Sequence, residues 1–248
     1  MDDFSTLREM NYSGRGIVVG MTLEGHPFMG YTLTGRSGSS QARKLVYDPT
    51  EELVKTDVTN SEELKKGNPS LLLYPAMAHI DSMLCASNGA HTELIVERME
   101  LEGSPSLTDA FSSYAMQDGI DLTSYEPDQP NYTPRISGLS YNPIGEIYMV
   151  KRDKQGNCHR LWEQFNLFPG RGKLITTYRG GNETPLAPFE GNALEVEINS
   201  LTSQDICEGL YEAIGLKNGV NYRVASAVMM TLPTELSVAI INRVDRGN

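Results

Sequence analysis

A short basic segment, residues 34–44, stands out because the rest of the chain is acidic. The sequence has 248 residues with 32 acidic and 21 basic side chains, yet Arg36, Arg43 and Lys44 lie close together among hydroxyl residues and glycines. Glycine lets the backbone approach a ligand, hydroxyl groups donate hydrogen bonds, and a guanidinium group can clasp an anion through two donors. The segment fits either a binding loop for a small phosphorylated or carboxylated molecule or a solvated hairpin turn.

A second candidate is the junction at residues 87–93. Asn88 and Gly89 are typical of a turn, and His91 and Thr92 follow where a helix is expected to begin. The first N–H groups of a helix have no partner within it and carry a partial positive charge. The junction fits either a ligand site or a simple helix cap, which Thr92 could provide by itself.

The loop at residues 124–136 is a third candidate. It combines carboxylates, amides and aromatic rings with three prolines and ends in Arg135 beside a predicted strand. Functional residues collect on such loops, which favours a binding role over an ordinary surface loop. Tyr74 and His79 are, from their surroundings, more typical of core residues whose polar atoms find a partner.

Other patterns argue against several classes of protein. Residues 169–173 suggest a phosphate-binding loop, but Leu167 and Leu174 stand where that motif requires glycine and a hydroxyl residue. Cys85, Cys158 and Cys207 are few and widely spaced, which predicts a reducing, cytoplasmic environment without a disulfide framework. No CxxC or HExxH motif occurs, so we expect no metal and no cofactor.

The charge of the chain limits its partners. A net charge of −11 argues against binding to nucleic acid or to an anionic membrane surface. No run approaches the roughly 20 apolar residues of a membrane span, and the N-terminus lacks the pattern of a secretion signal. An anionic small molecule remains compatible if its pocket is locally positive.

The elements that would position these segments can be predicted from apolar runs and turn residues. Residues 16–21 and 27–34, separated by Glu24 and Gly25, predict a hairpin. The acidic, lysine-rich stretch 48–68 predicts an exposed excursion. Further strands are predicted at 44–47, 71–78 and 83–87.

Two helices are predicted next, over residues 92–101 and 107–116. Leu107, Phe111 and Tyr114 recur at helical spacing in the second, and Ser106 with Asp109 resembles a cap. An irregular loop over 119–134 and an excursion over 168–192 interrupt the later elements. These elements are strands at 135–140, 146–152, 159–165, 222–232 and 235–242, and a helix at 202–214. This order predicts a single α+β domain, residues 1–248, with antiparallel sheets and helices on their outer faces.

Taken together, the motifs resemble the archaeal-type inosine monophosphate (IMP) cyclohydrolase family. The matching residues are Gly35-Arg36-Ser37 with Arg43, the run 87–95, Tyr125-Glu126 and the run 131–136. The chain ends agree as well, with 12–15 leading the first strand and 235–243 ending the last. The motifs occur in the same order along nearly the whole chain, and only 153–199 has no matching motif.

The resemblance implies a four-layered αββα sandwich of the N-terminal-nucleophile-hydrolase type without autoprocessing. Ser13 is the nearest candidate nucleophile, and since the sequence starts at Met1 we do not expect Ser13 to become N-terminal. The implied reaction closes 5-formamidoimidazole-4-carboxamide ribonucleotide to IMP with loss of water. The implied partner is this purine ribonucleotide alone, and the layered relatives commonly assemble, so a homo-oligomer is compatible.

Ring closure requires a donor at the formyl oxygen, a proton acceptor near the amide and an acid for the departing hydroxyl. From this chemistry we expect Arg36 to act at the formyl oxygen or to orient the substrate, Tyr74 to donate a proton, and Glu126, ahead of Asp128, to take or relay the proton. Two alternatives stay open: a purine-nucleotide-binding protein without catalysis, and an N-terminal-nucleophile amidohydrolase. The expected substrate-binding residues are Arg15, Ser37, Arg43, Asn88, Gly89, His91, Thr92, Tyr132, Thr133 and Arg135.

Overall fold

The computed structural model describes residues 2–101 and 106–247, in which strands are more numerous than helices. The strands are β1 (Arg15–Met21), β2 (Pro27–Thr34), β3 (Arg43–Asp48), β4 (Leu53–Val58), β5 (Pro75–Ile80), β6 (Met83–Ser87), β7 (Met116–Gln117), β8 (Ile120–Asp121), β9 (Arg135–Tyr141), β10 (Ile144–Arg152), β11 (Cys158–Asn166), β12 (Arg171–Thr176), β13 (Leu194–Glu197), β14 (Arg223–Thr231) and β15 (Leu236–Asn242). The helices are α1 (Ser5–Glu9), α2 (Gly38–Gln41), α3 (Ser61–Leu64), α4 (Pro69–Leu72), α5 (Thr92–Leu101), α6 (Leu107–Ala110) and α7 (Ser203–Ala213), followed by a 3₁₀ helix at Arg243–Arg246.

Two antiparallel sheets form the centre of the molecule. One has six strands in the order β13-β12-β1-β2-β14-β15, and the other has seven in the order β11-β10-β9-β6-β5-β4-β3. The predicted hairpin is the β1–β2 pair, with Val18 opposite Gly30. Every residue of β1 and β2 is buried, because both faces of this sheet are covered, and this explains their nearly uninterrupted apolar sequence.

The main core lies between the two sheets, where Ile17 and Met29 of one sheet belong to the same apolar cluster as Leu84 and Met149 of the other. Helices cover the outer faces. Helices α1 and α7 supply Leu7, Ile206 and Leu210 to a cluster on the six-stranded sheet, and α5 and α6 supply Ile95, Met99 and Leu107 to one on the seven-stranded sheet. The predicted α+β arrangement of antiparallel sheets with outer helices is confirmed. None of the helices that the structure describes has the length and apolar character needed to cross a bilayer.

Several predicted elements differ from the structure. The predicted strand at 71–78 begins as helix α4, because Asn68 caps it through the Ser70 N–H and Pro69 occupies its first position. The predicted excursion at 48–68 contains β4, an interior strand whose buried Val54 and Thr56 alternate with the more exposed Lys55. Charged residues alternate with the buried ones, so the segment resembles an exposed loop and the strand was not predicted. The predicted excursion at 168–192 likewise contains β12, which pairs with β1.

The predicted helix at 107–116 ends after a single turn. Leu107 and Phe111 are buried as expected, but Tyr114 is 72% exposed. The hydroxyl of Ser112 donates to the carbonyl of Asp109, 2.8 Å away, and such side-chain to backbone bonds compete with continuation of a helix. The apolar spacing was therefore correct only for the first turn.

Candidate active site

Strand ends from both sheets bring the candidate residues together at one end of the sandwich. Strand β1 starts at Arg15, strand β9 starts at Arg135, and β6 ends at Ser87, which lies opposite Ser137 of β9. The Thr177 N–H, just after β12, donates to the Arg15 carbonyl at 2.8 Å. The turn 88–91, the loop 124–134 and the segment after β12 consequently meet around Arg15.

A cavity of about 310 Å³ opens at this place. Three arginines, Arg15, Arg36 and Arg43, and two carboxylates, Glu126 and Asp128, contribute to its wall. Ser37 and Thr133 are also on the wall. These side chains carry one net positive charge, in a molecule whose total charge is −11. The sequence therefore folds into a pocket that is locally more positive than its surface.

Glu126 also lines a second, smaller chamber of about 90 Å³. Tyr74, Gly89 and Arg135 line it together with Glu126, which belongs to both walls. The candidate residues from the central turn and from the loop therefore converge with the early arginines. Among the residues that the structure describes, Glu126 is the polar one that the two cavities share.

Glu126 is buried between two guanidinium groups. Its Oε1 atom is 3.2 Å from Arg15 Nη2 and 3.6 Å from Arg135 Nη1. Burial raises the pKa of Glu126 above its ordinary value, because the two arginines only partly offset the cost of removing its charge from water. The carboxyl group is thus brought closer to a pKa at which it can accept and return a proton near neutral pH.

The two arginines still have donors to offer. Arg15 Nη2 also donates to the Asn88 carbonyl at 3.0 Å, and Arg135 Nε donates to the Ser124 carbonyl at 2.8 Å. Arg15 Nε and Arg135 Nη2 are buried without a hydrogen-bond partner in the part of the chain that the structure describes. Buried donors are nearly always satisfied, so these two atoms point to groups that a bound molecule or water supplies.

Asn88, His91 and Thr92 support this cluster and do not line either cavity. The Asn88 amide donates to the Pro134 carbonyl and accepts from the Ile136 N–H, both at 2.8 Å, so it ties the loop to β6. The Thr92 hydroxyl donates to the Gly89 carbonyl at 2.9 Å. These contacts make Asn88 and Thr92 positioning residues for the turn and for Arg135.

His91 contacts the side chain of Arg135 and the carbonyl group of the next residue. Its Nδ1 atom lies 3.3 Å from Arg135 Nη1 and its Nε2 atom 3.3 Å from the Ile136 carbonyl. A guanidinium can only donate, so Nδ1 accepts and Nε2 carries the hydrogen. Burial, reinforced by Arg135, lowers the pKa of His91 well below its ordinary value, which keeps the imidazole neutral.

The basic segment 34–44 forms one rim of the larger cavity. Arg36 Nη1 donates to the carbonyls of Asn182 and Glu183 at 3.4 and 3.1 Å, and its guanidinium carbon lies 5.2 Å from the centre of the Tyr12 ring. Ser37 caps α2 through the Ser40 N–H. The segment therefore contains a short helix on the cavity wall that connects β2 of one sheet to β3 of the other, and it is not a hairpin turn.

Arg43 connects two parts of the same wall. Its Nε atom donates to the Ser40 carbonyl at 2.9 Å and its Nη1 atom to the Leu72 carbonyl at 3.3 Å. Arg43 is almost completely buried. The side chain therefore fixes α2 against the end of α4 while contributing positive charge to the cavity.

Tyr74 and Tyr132 occupy different environments. The Tyr74 hydroxyl is buried 3.1 Å from the Tyr31 hydroxyl, and burial together with Tyr74 raises the pKa of Tyr31 well above its ordinary value. Tyr132 lies outside both cavity walls, with the Arg152 guanidinium 4.4 Å from its ring centre. Tyr74 thus adjoins the chamber that Glu126 also lines, whereas Tyr132 packs against Arg152.

Some residues of the cavity were not predicted from the sequence. Tyr12, Asn131 and Tyr178 line it, and so does Asp128, which lies outside the matched motif and comes after Glu126 as the expected proton acceptor. Tyr178 comes from the stretch without a matching motif. Recognising β12 would have placed Tyr178 next to Arg15, because β12 pairs with β1 and ends two residues earlier. Among the described residues, no three His, Cys, Asp or Glu side chains lie close enough to hold a metal ion.

Comparison with known proteins places this geometry in context. A protein named IMP cyclohydrolase from Methanococcus maripaludis is 36% identical over 127 residues, which are 51% of this chain and 56% of that protein. An IMP cyclohydrolase from Methanocaldococcus jannaschii is 32% identical over 128 residues, which are 52% of this chain and 56% of that protein. An IMP cyclohydrolase from Thermococcus kodakarensis is 25% identical over 206 residues, which are 82% of this chain and 86% of that protein. The chain thus spans about half the length of the first of these relatives.

The family-level match is more extensive. The model of a family described as IMP cyclohydrolase-like protein matches residues 12–231. That range starts at Tyr12 and includes Arg15, Glu126, Arg135 and Tyr178. All residues that line the two cavities fall within it. This chain belongs to the IMP cyclohydrolase-like family.

Proposed function

We propose that this protein is an IMP cyclohydrolase, an enzyme that closes 5-formamidoimidazole-4-carboxamide ribonucleotide to IMP with loss of water. The observation that carries the proposal is the buried Glu126 between Arg15 and Arg135, at the meeting point of two cavities. The family membership and the names of the relatives support the same reaction. The pocket's positive lining suits a phosphorylated substrate.

The reaction needs little help with proximity, because both reacting groups sit on one imidazole ring. The difficulty is that a carboxamide nitrogen is a poor nucleophile and must lose a proton as it attacks the formyl carbon. Glu126 takes this proton, and its raised pKa suits the task. Arg36 stabilises the negative charge that develops on the formyl oxygen. Tyr74 donates a proton to that oxygen.

The remaining predicted residues bind and orient the nucleotide. Ser37 and Arg43 contact it in the larger cavity, where Thr133 forms part of the wall, and Arg15 and Arg135 turn their unpartnered donors toward it. Gly89 provides space in the small chamber, since a β-carbon at this position would lie 2.7 Å from Arg135 Nη1. In this proposal Asn88, His91 and Thr92 act by holding the others, and Tyr132 stiffens the loop.

The wider assignment follows from the same proposal. The order of helices, two sheets and helices corresponds to the αββα sandwich of the N-terminal-nucleophile hydrolases, used here as a single domain without autoprocessing. The protein acts on a free purine ribonucleotide in the cytoplasm, with no cofactor and no nucleic acid, and assembly of several copies is compatible with this role.

Incubation of the purified protein with the formylated ribonucleotide tests the proposal. We expect IMP to form, as followed by absorbance and chromatography, and we expect Glu126→Gln to lower kcat by about 100-fold or more. Absence of IMP formation, with calorimetric binding of IMP, would favour the nucleotide-binding protein without catalysis. Release of formate instead of water would favour an amidohydrolase.

A further inference from the structure

A hydrogen-bonded chain of three side chains lies on the wall of the larger cavity. The Asp128 carboxylate accepts from the Thr133 N–H at 2.6 Å and from the Thr133 hydroxyl at 2.5 Å. The Thr133 hydroxyl is also 2.7 Å from the Tyr178 hydroxyl. The Thr133 hydroxyl has a single hydrogen, which it donates to Asp128, so it accepts from Tyr178. The chain therefore has one direction, from Tyr178 through Thr133 to Asp128.

Tyr178 is held rigidly at the head of this chain. Its N–H donates to the Ser13 carbonyl at 3.2 Å, and its ring stacks on Tyr12 with 5.8 Å between centres. Gly14, with φ of +73°, lets the ring lie against the backbone, since a β-carbon there would be 2.7 Å from Tyr178 Cδ2. A packed ring with a fixed hydroxyl is what a proton-transfer group requires.

Charged groups adjoin this chain of side chains. Arg135 interacts electrostatically with both Glu126 and Asp128, so a positive charge lies near the Asp128 end. Burial raises the pKa of Tyr178, so the phenol stays protonated at neutral pH although Arg15 opposes this shift. A neutral phenol can accept one proton only while it passes its own proton on.

We propose that Tyr178, Thr133 and Asp128 form a proton relay, in which Tyr178 touches the substrate and the other two residues act through it. The relay rests on the proposed function and adds to it a second route for protons. It also assigns a role to the region around Tyr178, which contains no motif of the family. Glu126 is not a hydrogen-bond partner of the three relay side chains.

The reaction needs two such routes. Two N–H protons leave the substrate, and two protons depart with the formyl oxygen as water. Glu126 takes the carboxamide proton during ring closure. When water leaves, the former formamido N–H bond breaks, its electron pair forms the C=N bond, and the C–O bond breaks. The released proton passes to Tyr178, the Tyr178 proton to Thr133, and the Thr133 proton to Asp128.

The number of protons balances when the other groups of the site are included. The departing oxygen carries one proton from Tyr74 and one from Glu126. Asp128 has then gained a proton and Tyr74 has lost one, and exchange with solvent restores both. The relay therefore needs no oxidant, reductant or further reactant.

Thr133→Val tests the relay because it removes the hydroxyl and keeps the size of the side chain. In the IMP-forming assay we expect kcat to fall by about 100-fold with KM changed by less than about twofold. Thr133→Ser, which keeps the hydroxyl, should restore kcat to within a few-fold of the natural chain. Asp128→Asn should match Thr133→Val, and the double variant should be no slower than either single variant, because residues that act as one unit are not additive.

Tyr178→Phe should show the same loss, whereas Tyr114→Phe, which removes a phenol hydroxyl from an exposed ring, should not. Equal thermal unfolding midpoints show that the variants are folded. The relay is wrong if Thr133→Val keeps kcat within twofold, if Thr133→Ser is as slow as Thr133→Val, or if the losses multiply in the double variant. Turnover by the natural chain in the same assay separates these outcomes from failure of the proposed function.

Discussion

At the scale of single residues, Glu126 shows how burial and charge compete. Two arginines favour its ionised form, yet removal from water has the larger effect and raises its pKa above 4.5. The carboxylate must be ionised to take the amide proton, so activity falls as the pH drops through this raised pKa. We therefore expect the acidic limb of the kcat/KM profile to lie above pH 4.5 and to be absent from the residual activity of Glu126→Gln. A limb at or below 4.5 would assign the proton acceptor elsewhere.

Arg36 carries a second prediction at this scale. A donor aimed at a developing oxyanion contributes about 3 kcal/mol to the transition state, so Arg36→Ala should lower kcat/KM by at least about 100-fold without unfolding the protein. The loss includes the contacts that hold Asn182 and Glu183 at the cavity rim. Arg171→Ala, at an exposed residue outside this cavity, is the matched control. Near-normal turnover of Arg36→Ala would dismiss its role.

At the scale of elements, helix α7 depends on Thr202, the N-cap residue that precedes it. The Thr202 hydroxyl accepts from the Asp205 N–H at 3.1 Å and donates to the Asp205 carboxylate at 2.6 Å. Loss of such a cap costs about 1 kcal/mol, so Thr202→Ala should lower the free energy of unfolding in urea by about that amount. Gln204→Ala, on the exposed face of the same helix, should change it by less than about 0.5 kcal/mol. Equal effects of the two substitutions would show that the cap does not matter. Turnover should be unchanged in both.

The same scale shows which elements could be predicted from the sequence. The β1–β2 hairpin, α5, α7 and the last two strands carry unmixed apolar patterns with clear turn or capping signals, and their predictions agree with the structure. Strand β4 was missed because Lys55 and Asp57 on its more exposed face mask Val54. Its burial depends on neighbours β3 and β5, which are tertiary partners that a local pattern does not contain.

The site was predictable to a similar extent and for a similar reason. Arg15, Glu126 and Arg135 belong to motifs, and the structure brings them together. Tyr178 belongs to none, and it reaches the cavity only because β12 pairs with β1. The support given by His91 to Arg135 also depends on a 3.3 Å contact between distant parts of the chain. Motifs therefore indicated part of the cavity wall, and strand pairing determined the rest.

At the scale of the whole molecule, two electric fields of opposite sign act on an anionic substrate. The chain as a whole has a net charge of −11, which repels a phosphate group at long range. Arg15, Arg36 and Arg43 line the cavity and attract it at short range. Dissolved salt weakens both, because the screening length falls from about 10 Å at 0.1 M to about 3 Å at 1 M ionic strength. The response of binding to salt therefore reveals which field dominates.

We expect the arginines to dominate, because a phosphate in the cavity is much closer to them than to most of the surface carboxylates. The dissociation constant of IMP, measured by calorimetry, should rise at least about threefold between about 0.05 and 0.5 M NaCl. Inosine lacks the phosphate and is the matched control: it should bind more weakly and respond little to salt. If IMP instead bound more tightly as salt increased, the repulsion by the whole molecule would outweigh the cavity. If IMP and inosine behaved alike, the phosphate would lie outside the reach of these arginines.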